Sequence, residues 1–113
     1  MINSEELMDR LEGDRALLSE LLGFFRRDYP GQIRAAREAL GRAEAEGLER
    51  AGHALKGTLA NLSATVACRL AARLEEMGRS RNLAHADSTL AELEQELSRV
   101  TASLDLLCEG GAH

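Results

Sequence analysis

The segment from residue 51 to residue 62 reads AGHALKGTLANL, and it places a histidine, a lysine and a glycine within five positions: His53, Lys56 and Gly57. An imidazole is a competent nucleophile near neutral pH, since an unperturbed histidine titrates near about 6.5. An ammonium group three residues further along a helix can reach the same point and bind phosphoryl oxygens. These residue types could therefore form a bond from a ring nitrogen to a phosphoryl group.

Five apolar residues around this segment fall on one stripe of a helix at about 100° per residue: Leu48, Ala51, Leu55, Leu59 and Leu62. That stripe is the predicted core face. His53 projects about 160° from its centre, which predicts an exposed imidazole, and Lys56 lies about 100° to one side.

The residues that share the exposed side with His53 are small: Ala54, Gly57 and Ala60. Glycine inside a helix costs about 1 kcal/mol relative to alanine, and an exposed face normally carries Glu, Lys or Gln. Small residues beside an exposed imidazole leave room for the surface of another protein to approach closely.

An ordinary structural explanation stands beside this one. A single histidine on a helix is usually only a surface residue, Gly57 could be a packing glycine, and Lys56 could serve solubility. His85 and His113 have no comparable surroundings, and both are expected to be ordinary surface residues. Glu–Arg pairs on the other faces are expected to be solvated ion pairs of little energetic weight.

The composition predicts that all-α elements position this segment. Hydrophobic residues make up 44% of the 113 residues, but aromatic residues only 3%, and there is one proline. Cores built from Leu and Ala belong to packed helices, whereas sheets favour β-branched and aromatic residues. The length fits a single domain over residues 1–113.

Breakers and caps divide the first half of the chain. Asn3, Ser4 and Glu6 predict a helix start and Gly13 its end; Asp14 caps a second helix. Tyr29-Pro30-Gly31 interrupts the pattern, so that Pro30 either begins a new helix or kinks one long helix. The next segment runs to about Glu46, and Gly47 breaks it. The inward residues predicted here are Leu17, Leu18, Leu21, Leu22, Phe25, Ile33, Ala36, Leu40 and Ala43.

The second half predicts three helices. One runs from about Leu48 to Leu62; Ser63 caps the next, which Gly78 stops and which carries Val66, Leu70, Leu74 and Met77 inward. A last helix has a continuous apolar seam of Leu90, Leu93, Leu97, Val100, Leu104 and Leu107. Short connections between such helices predict an up-down antiparallel four-helix bundle with one or two short extra N-terminal helices. Residues 109–113 are expected to form a frayed tail.

Charge and patterning exclude several classes of function. The formal net charge is −5 and the arginines are scattered, so a nucleic-acid binder with a basic stripe is not expected. No apolar run approaches a membrane span, the N-terminus lacks the regions of a secretory signal, and Cys68 and Cys108 are expected to be free thiols. These features together favour a cytoplasmic protein without membrane contact.

Over nearly its whole length the sequence resembles the histidine-containing phosphotransfer (HPt) domains of bacterial multistep phosphorelays. The segment from Ala51 to Leu62 is similar to the family pattern A-H-x-L-K-G-x-x-x-N-L, with Gly52 where the family usually has alanine. Leu74-Glu75 resembles a conserved pair of the family, and residues 7–18 resemble its first two helices. Ser63 stands where many members have glycine.

The resemblance implies a role for each matching residue. His53 would accept a phosphoryl group from an aspartyl phosphate of a response-regulator receiver domain and pass it to another. Lys56 would contact the phosphoryl oxygens, Gly57 would give the partner access, and Glu75 would orient the imidazole. The chain has no Gly-rich phosphate loop and no paired acidic cluster, so it is expected to bind no cofactor and not to phosphorylate itself, the receiver supplying Mg²⁺. The expected protein is thus a phosphocarrier rather than an enzyme.

Two alternatives remain open. The first is a helical adaptor of the same fold without phosphotransfer; such relatives typically lose the histidine, whereas His53 and Lys56 are both present here. The second is a ligand- or metal-binding bundle, which would need His, Asp or Glu facing inward at helical spacing. The sequence leaves open the donor, the acceptor, the direction of flow and the input signal. It also fits either a free-standing protein or the C-terminal domain of a hybrid sensor histidine kinase, and we expect a monomer.

Overall fold

Five helices make up the fold in a computed structural model that describes residues 2–110. They are α1 (Ser4–Arg10), α2 (Arg15–Gly41), α3 (Ala45–Asn61), α4 (Thr65–Ser80) and α5 (Ala86–Gly110). No strand occurs within the described range, and the all-α prediction is confirmed. Helix α5 extends to residue 110 and so includes residues 109 and 110 of the predicted tail, while residues 111–113 lie outside the described part.

Helices α2 to α5 form the predicted up-down four-helix bundle, in which each helix packs against the next and α5 returns to α2. The antiparallel register of α2 and α5 is visible in two ion pairs, Arg26 with Asp105 and Arg37 with Glu94. The single extra N-terminal helix, α1, closes the end of the bundle, where the backbone N–H of Asn3 donates to the carbonyl of Ser63 at 3.0 Å.

The core of the bundle is aliphatic, as the composition predicts. All five stripe residues of α3 are buried, and so is the α5 seam except for Leu107, which is partly buried. A core of leucine and alanine allows close helix packing, because alanine leaves little side chain between two backbones. The stripe fixes the rotation of α3 about its axis, and this rotation decides which way His53 points.

The first half of the chain decides one open boundary and corrects another. Of the two arrangements predicted for Pro30 the structure has the one long helix, because α2 continues through Pro30 from Arg15 to Gly41. The break comes earlier than Gly47, in a turn where Ala43 has a φ of 53° and lies exposed. Gly47 lies in the first turn of α3, and a Cβ there would be 3.0 Å from the Cβ of Ala39. It is therefore a packing glycine between α2 and α3.

Two predictions about α4 are also wrong. Ser63 is not the N-cap: it is buried in the turn with a φ of 54°, and Ala64 occupies the cap position without a side-chain hydrogen bond. Gly78 does not stop the helix, which ends at Ser80 with Arg81 in the left-handed region at φ 60°. A Cβ on Gly78 would be 2.5 Å from the backbone nitrogen of Glu49, so this glycine lets α3 and α4 touch.

Some predicted inward residues face outward. Val66 is 48% exposed, and Leu17 is exposed as well. The buried positions of α4 are instead taken by Ala67 and Ala71, one residue and five residues after Val66. Val66 therefore lies on the outer face of α4, although the next residue, Ala67, is fully buried.

Candidate functional site

His53 lies in the middle of α3 with 71% of its side chain exposed, as the helical geometry predicts. The core residues Ala51 and Leu55 on either side of it anchor the helix, so the imidazole stands on a rigid element. Ala54 and Gly57 beside it are exposed. The predicted combination of an exposed imidazole among small residues is confirmed.

Glu75 on α4 contacts both His53 and Lys56 of α3 through its carboxylate. Its carboxylate is only 8% exposed, and each oxygen has a partner on α3. Oε2 lies 2.8 Å from Nδ1 of His53, and Oε1 lies 2.6 Å from Nζ of Lys56. The sequence motif alone could not establish this convergence, because Glu75 is 22 residues away on another helix.

Gly52 makes this reach possible, because the backbones of α3 and α4 nearly touch beside it. A Cβ built on Gly52 would lie 2.6 Å from the backbone nitrogen and 2.9 Å from the Cα of Glu75. Real Cβ atoms do not approach a backbone so closely, so only glycine fits here without a shift of the two helices. The departure from the usual family alanine at Gly52 therefore has a structural reason in this chain.

The hydrogen bond to Glu75 assigns the protons of the imidazole. An ionised carboxylate can only accept, so Nδ1 of His53 carries the hydrogen and donates it to Oε2. In a neutral imidazole the other nitrogen, Nε2, then has the free lone pair. The exposed ring thus presents Nε2 as its nucleophilic atom.

Electrostatics keep Glu75 ionised. The hydrogen bond from Lys56 does most to hold the pKa of the Glu75 carboxyl below its ordinary value of 4.5, and the hydrogen bond from His53 acts in the same direction. Burial acts against them, since desolvation disfavours the charged form. At neutral pH the site therefore contains a buried carboxylate that accepts from both α3 side chains.

Comparisons with known proteins agree with this geometry. The family model described as the Hpt domain matches residues 20–103, which is most of the chain. The chain belongs to the Hpt domain family. A search of curated protein sequences gives no match.

The fold of the HPt chain is also that of a solved relative. The crystal structure of histidine-containing phosphotransfer protein B from Pseudomonas aeruginosa superimposes with a TM-score of 0.77 at 22% identity, over 94% of this chain and 90% of the other. At this identity the likeness concerns the fold. Family membership assigns the chain to histidine phosphotransfer in phosphorelay signalling, where HPt domains act as phosphocarriers with receiver domains and kinases as partners.

Arg79 is a part of the HPt site that the sequence analysis missed. Its Nη2 lies 3.3 Å from Oε2 of Glu75, four residues earlier on α4. The guanidinium also pairs with Glu76 at 3.1 Å and with Glu49 of α3 at 3.4 Å. The spacing of Glu75 and Arg79 is a recognisable helical ion-pair signal, but the sequence analysis assigns no role in the site to Arg79.

The surface beyond the imidazole is open. Nothing lies within 4 Å of the position that a Cβ on Gly57 would take, so this glycine is not the packing glycine of the ordinary explanation. A concavity of about 650 Å³ between α2 and α3 is lined by Arg50 and Ala54 but not by His53. A second one of about 390 Å³ is lined by His53, Ala54 and Glu75, and it is open to solvent rather than enclosed. An imidazole outside an enclosed cavity suits contact with another protein better than capture of a small molecule.

The remaining classes of site have little support in residues 2–110. No group of three or more His, Cys, Asp or Glu side chains in this range could hold a metal ion. Both cysteines are free. No helix of the described HPt chain is long and apolar enough to cross a membrane.

Proposed function

We propose that His53 is the phosphorylated residue of this HPt domain and that Nε2 is the atom that carries the phosphoryl group. The observation that carries the proposal is the 2.8 Å hydrogen bond between Nδ1 of His53 and Oε2 of Glu75. It leaves Nε2 as the free lone pair on a ring that is largely exposed. Glu75 would keep the ring in this orientation while the phosphoryl group arrives and leaves.

The transfer step balances as a displacement at phosphorus. The Nε2 lone pair attacks the phosphorus of an aspartyl phosphate on a receiver domain; the N–P bond forms while the P–O bond to the aspartate breaks, and the aspartate leaves as a carboxylate. The ring then carries a positive charge, which the carboxylate of Glu75 stabilises through the Nδ1 proton. The reverse step delivers the phosphoryl group to the aspartate of another receiver.

Lys56 would bind the phosphoryl group, and Gly57 would leave space for the partner. The side chain of Lys56 is 37% exposed, and its ammonium is within reach of the site and would neutralise the phosphoryl oxygens. Gly57, with open space where a side chain would stand, would let the receiver surface approach. In this proposal the HPt chain uses no cofactor, and the Mg²⁺ of the reaction belongs to the receiver.

The class of partner follows from membership of the HPt family, and we propose the donor, the acceptor and the oligomeric state. Receiver domains of response regulators would be donor and acceptor, either free or as part of a hybrid sensor histidine kinase. We propose that the chain acts as a monomeric phosphocarrier in the cytoplasm. The helices of one chain already bury a common hydrophobic core, so a second copy is not needed to cover it.

Phosphoryl transfer from a phosphorylated receiver domain, followed by intact mass, tests the proposal. The wild-type chain should gain one phosphoryl mass that is labile in acid and stable in alkali, and His53→Gln should fold and gain none. His85→Gln is the matched control, since His85 is also an exposed histidine, and it should gain the mass as the wild type does. Labelling that persists in folded His53→Gln would refute the site. No gain in any variant with several receivers would favour the adaptor alternative.

A further inference from the structure

The carboxylate of Glu75 has three cationic or proton-donating partners. Lys56 binds Oε1 at 2.6 Å, while His53 at 2.8 Å and Arg79 at 3.3 Å share Oε2. In the unphosphorylated protein Lys56 has the shortest of these contacts and the strongest effect on the pKa of the Glu75 carboxyl. The longer contact from Arg79 looks redundant in this state.

Lys56 would have to share its charge between Glu75 and the phosphoryl group. A phosphoryl group adds about 1.5 to 2 negative charges near neutral pH, and the exposed side of His53 is where it would stand. An ammonium that turns towards these oxygens leaves Oε1 of Glu75 without its closest cation. The phosphorylated ring still donates from Nδ1 to Oε2, but a buried carboxylate that has lost the partner of its other oxygen is more easily protonated.

Arg79 is placed to prevent that protonation. Its guanidinium has five donors in a planar fork, and Glu49 and Glu76 hold it at the rim of the site, at 3.4 and 3.1 Å. The groups that contact the Glu75 carboxylate are His53 and Lys56 from α3 and Arg79 from its own helix. The two outer carboxylates lie beyond, and Arg50 of α3 lines the concavity that His53 and Glu75 share. Of the three groups in contact with the carboxylate only Arg79 is neither the phosphorylated group nor the one that the phosphoryl oxygens would attract.

We propose that Arg79 is a positioning residue that keeps the Glu75 carboxylate charged and in place against His53 while Lys56 is engaged with the phosphoryl group. This inference rests on the proposed function of His53. It assigns Arg79 a role that depends on the phosphorylation state: dispensable before transfer and required afterwards. An ion pair with a purely structural role would matter equally in both states.

The decisive experiment is NMR of the Glu75 side-chain carboxyl carbon in wild type and Arg79→Ala, each before and after phosphorylation, recorded at neutral to alkaline pH, where the phosphoryl group on histidine is stable. We expect Arg79→Ala to leave the chemical shift of this carbon at the wild-type value in the unphosphorylated protein and to move it in the direction of protonation in the phosphorylated one. The rate of phosphoryl acceptance should fall about twofold to fivefold, the range expected for one partly exposed ion pair. Arg79→Lys, which keeps the positive charge, should restore most of both properties.

Arg99→Ala is the matched control, because Arg99 is an exposed arginine that pairs with a buried glutamate, Glu96, at 3.0 Å on α5. It should change neither the carboxyl-carbon shift of Glu75 nor the transfer rate. An equal effect of Arg79→Ala in both states, or none in the phosphorylated state, would overturn the inference. Circular dichroism verifies folding, and if the alanine variant unfolds, Arg79→Gln replaces it with the same expected outcome. Labelling of His53→Gln tests the proposed function separately, because this variant leaves Arg79 unchanged. If His53→Gln is still labelled, the proposed function fails, whatever the result for Arg79→Ala.

Discussion

Gly52 and Glu75 are in backbone contact across the interface of α3 and α4: a Cβ on Gly52 would lie 2.6 Å from the Glu75 nitrogen. This contact sets how far the carboxylate of Glu75 must reach to His53. A residue without a side chain, directly before the histidine in sequence, thus controls the position of a group on another helix. The position of the Glu75 carboxylate in the site therefore depends on how closely α3 and α4 pack.

Gly52→Ala should therefore lower both stability and phosphoryl acceptance. Overpacking of this kind costs about 1–3 kcal/mol, and the displaced Glu75 would lose its hydrogen bond with Nδ1. Urea unfolding gives the first effect and transfer from a phosphorylated receiver gives the second.

The control for this variant is Gly78→Ala, which forces the same two helices apart at another place, where a Cβ would lie 2.5 Å from the Glu49 nitrogen. It should cost a similar stability but leave the transfer rate of the folded protein much closer to wild type. Equal loss of transfer in the two variants would show that the spacing at Glu75 has no special role.

Substitution of Gly57, unlike that of Gly52, should not destabilise the fold. Because nothing lies within 4 Å of its missing Cβ, Gly57→Ala should raise the free energy of unfolding by about 0.5–1 kcal/mol through helix propensity. Gly57→Gln should also fold, but its long side chain should lower transfer from a receiver domain about tenfold or more by steric exclusion. Phosphorylation by a small donor such as phosphoramidate should be unaffected. A Gly57→Gln variant that exchanges normally with receivers would show that the partner does not approach over this surface.

The lowered pKa of Glu75 predicts a specific pH dependence of stability. The folded state binds fewer protons than the unfolded state between the lowered pKa and the ordinary value of 4.5, so ionised Glu75 contributes stability that is complete above 4.5. This contribution disappears as the pH falls through the lowered pKa of the folded state. Urea unfolding should therefore show a smaller loss of stability on acidification for Glu75→Gln than for wild type. Glu76→Gln, at a glutamate that is 63% exposed, should lose stability on acidification as the wild type does.

Much of this arrangement could be predicted from the sequence, because it depends on local periodicity. The stripe from Leu48 to Leu62 fixes the exposed side of α3, and hence the exposure of His53 and Gly57. The helix starts at Asn3 and Asp14 follow from side-chain caps, whose oxygens accept from the backbone N–H of Glu6 and Leu17 at 3.0 Å. Such features need only neighbours in the chain.

The features that sequence reasoning missed depend on contacts between helices. Gly47 and Gly78 resemble helix breakers, but they are glycines that admit a neighbouring helix. Ser63 resembles a cap, but its hydroxyl donates to Glu6 on α1 at 3.0 Å. Arg79 resembles surface decoration until the position of Glu75 relative to α3 is known. In each case the role of the residue depends on a contact with a helix that is distant in sequence. A single sequence does not show which distant residues meet.

The most direct test of the account is to determine which atom carries the phosphoryl group. In ¹⁵N-histidine-labelled protein phosphorylated by a receiver domain, we predict a ¹⁵N–³¹P coupling at Nε2 of His53, with Nδ1 still protonated and bound to Glu75. Phosphorus on Nδ1 of His53, or on any other residue, would contradict the role assigned to Glu75 and with it the central claim.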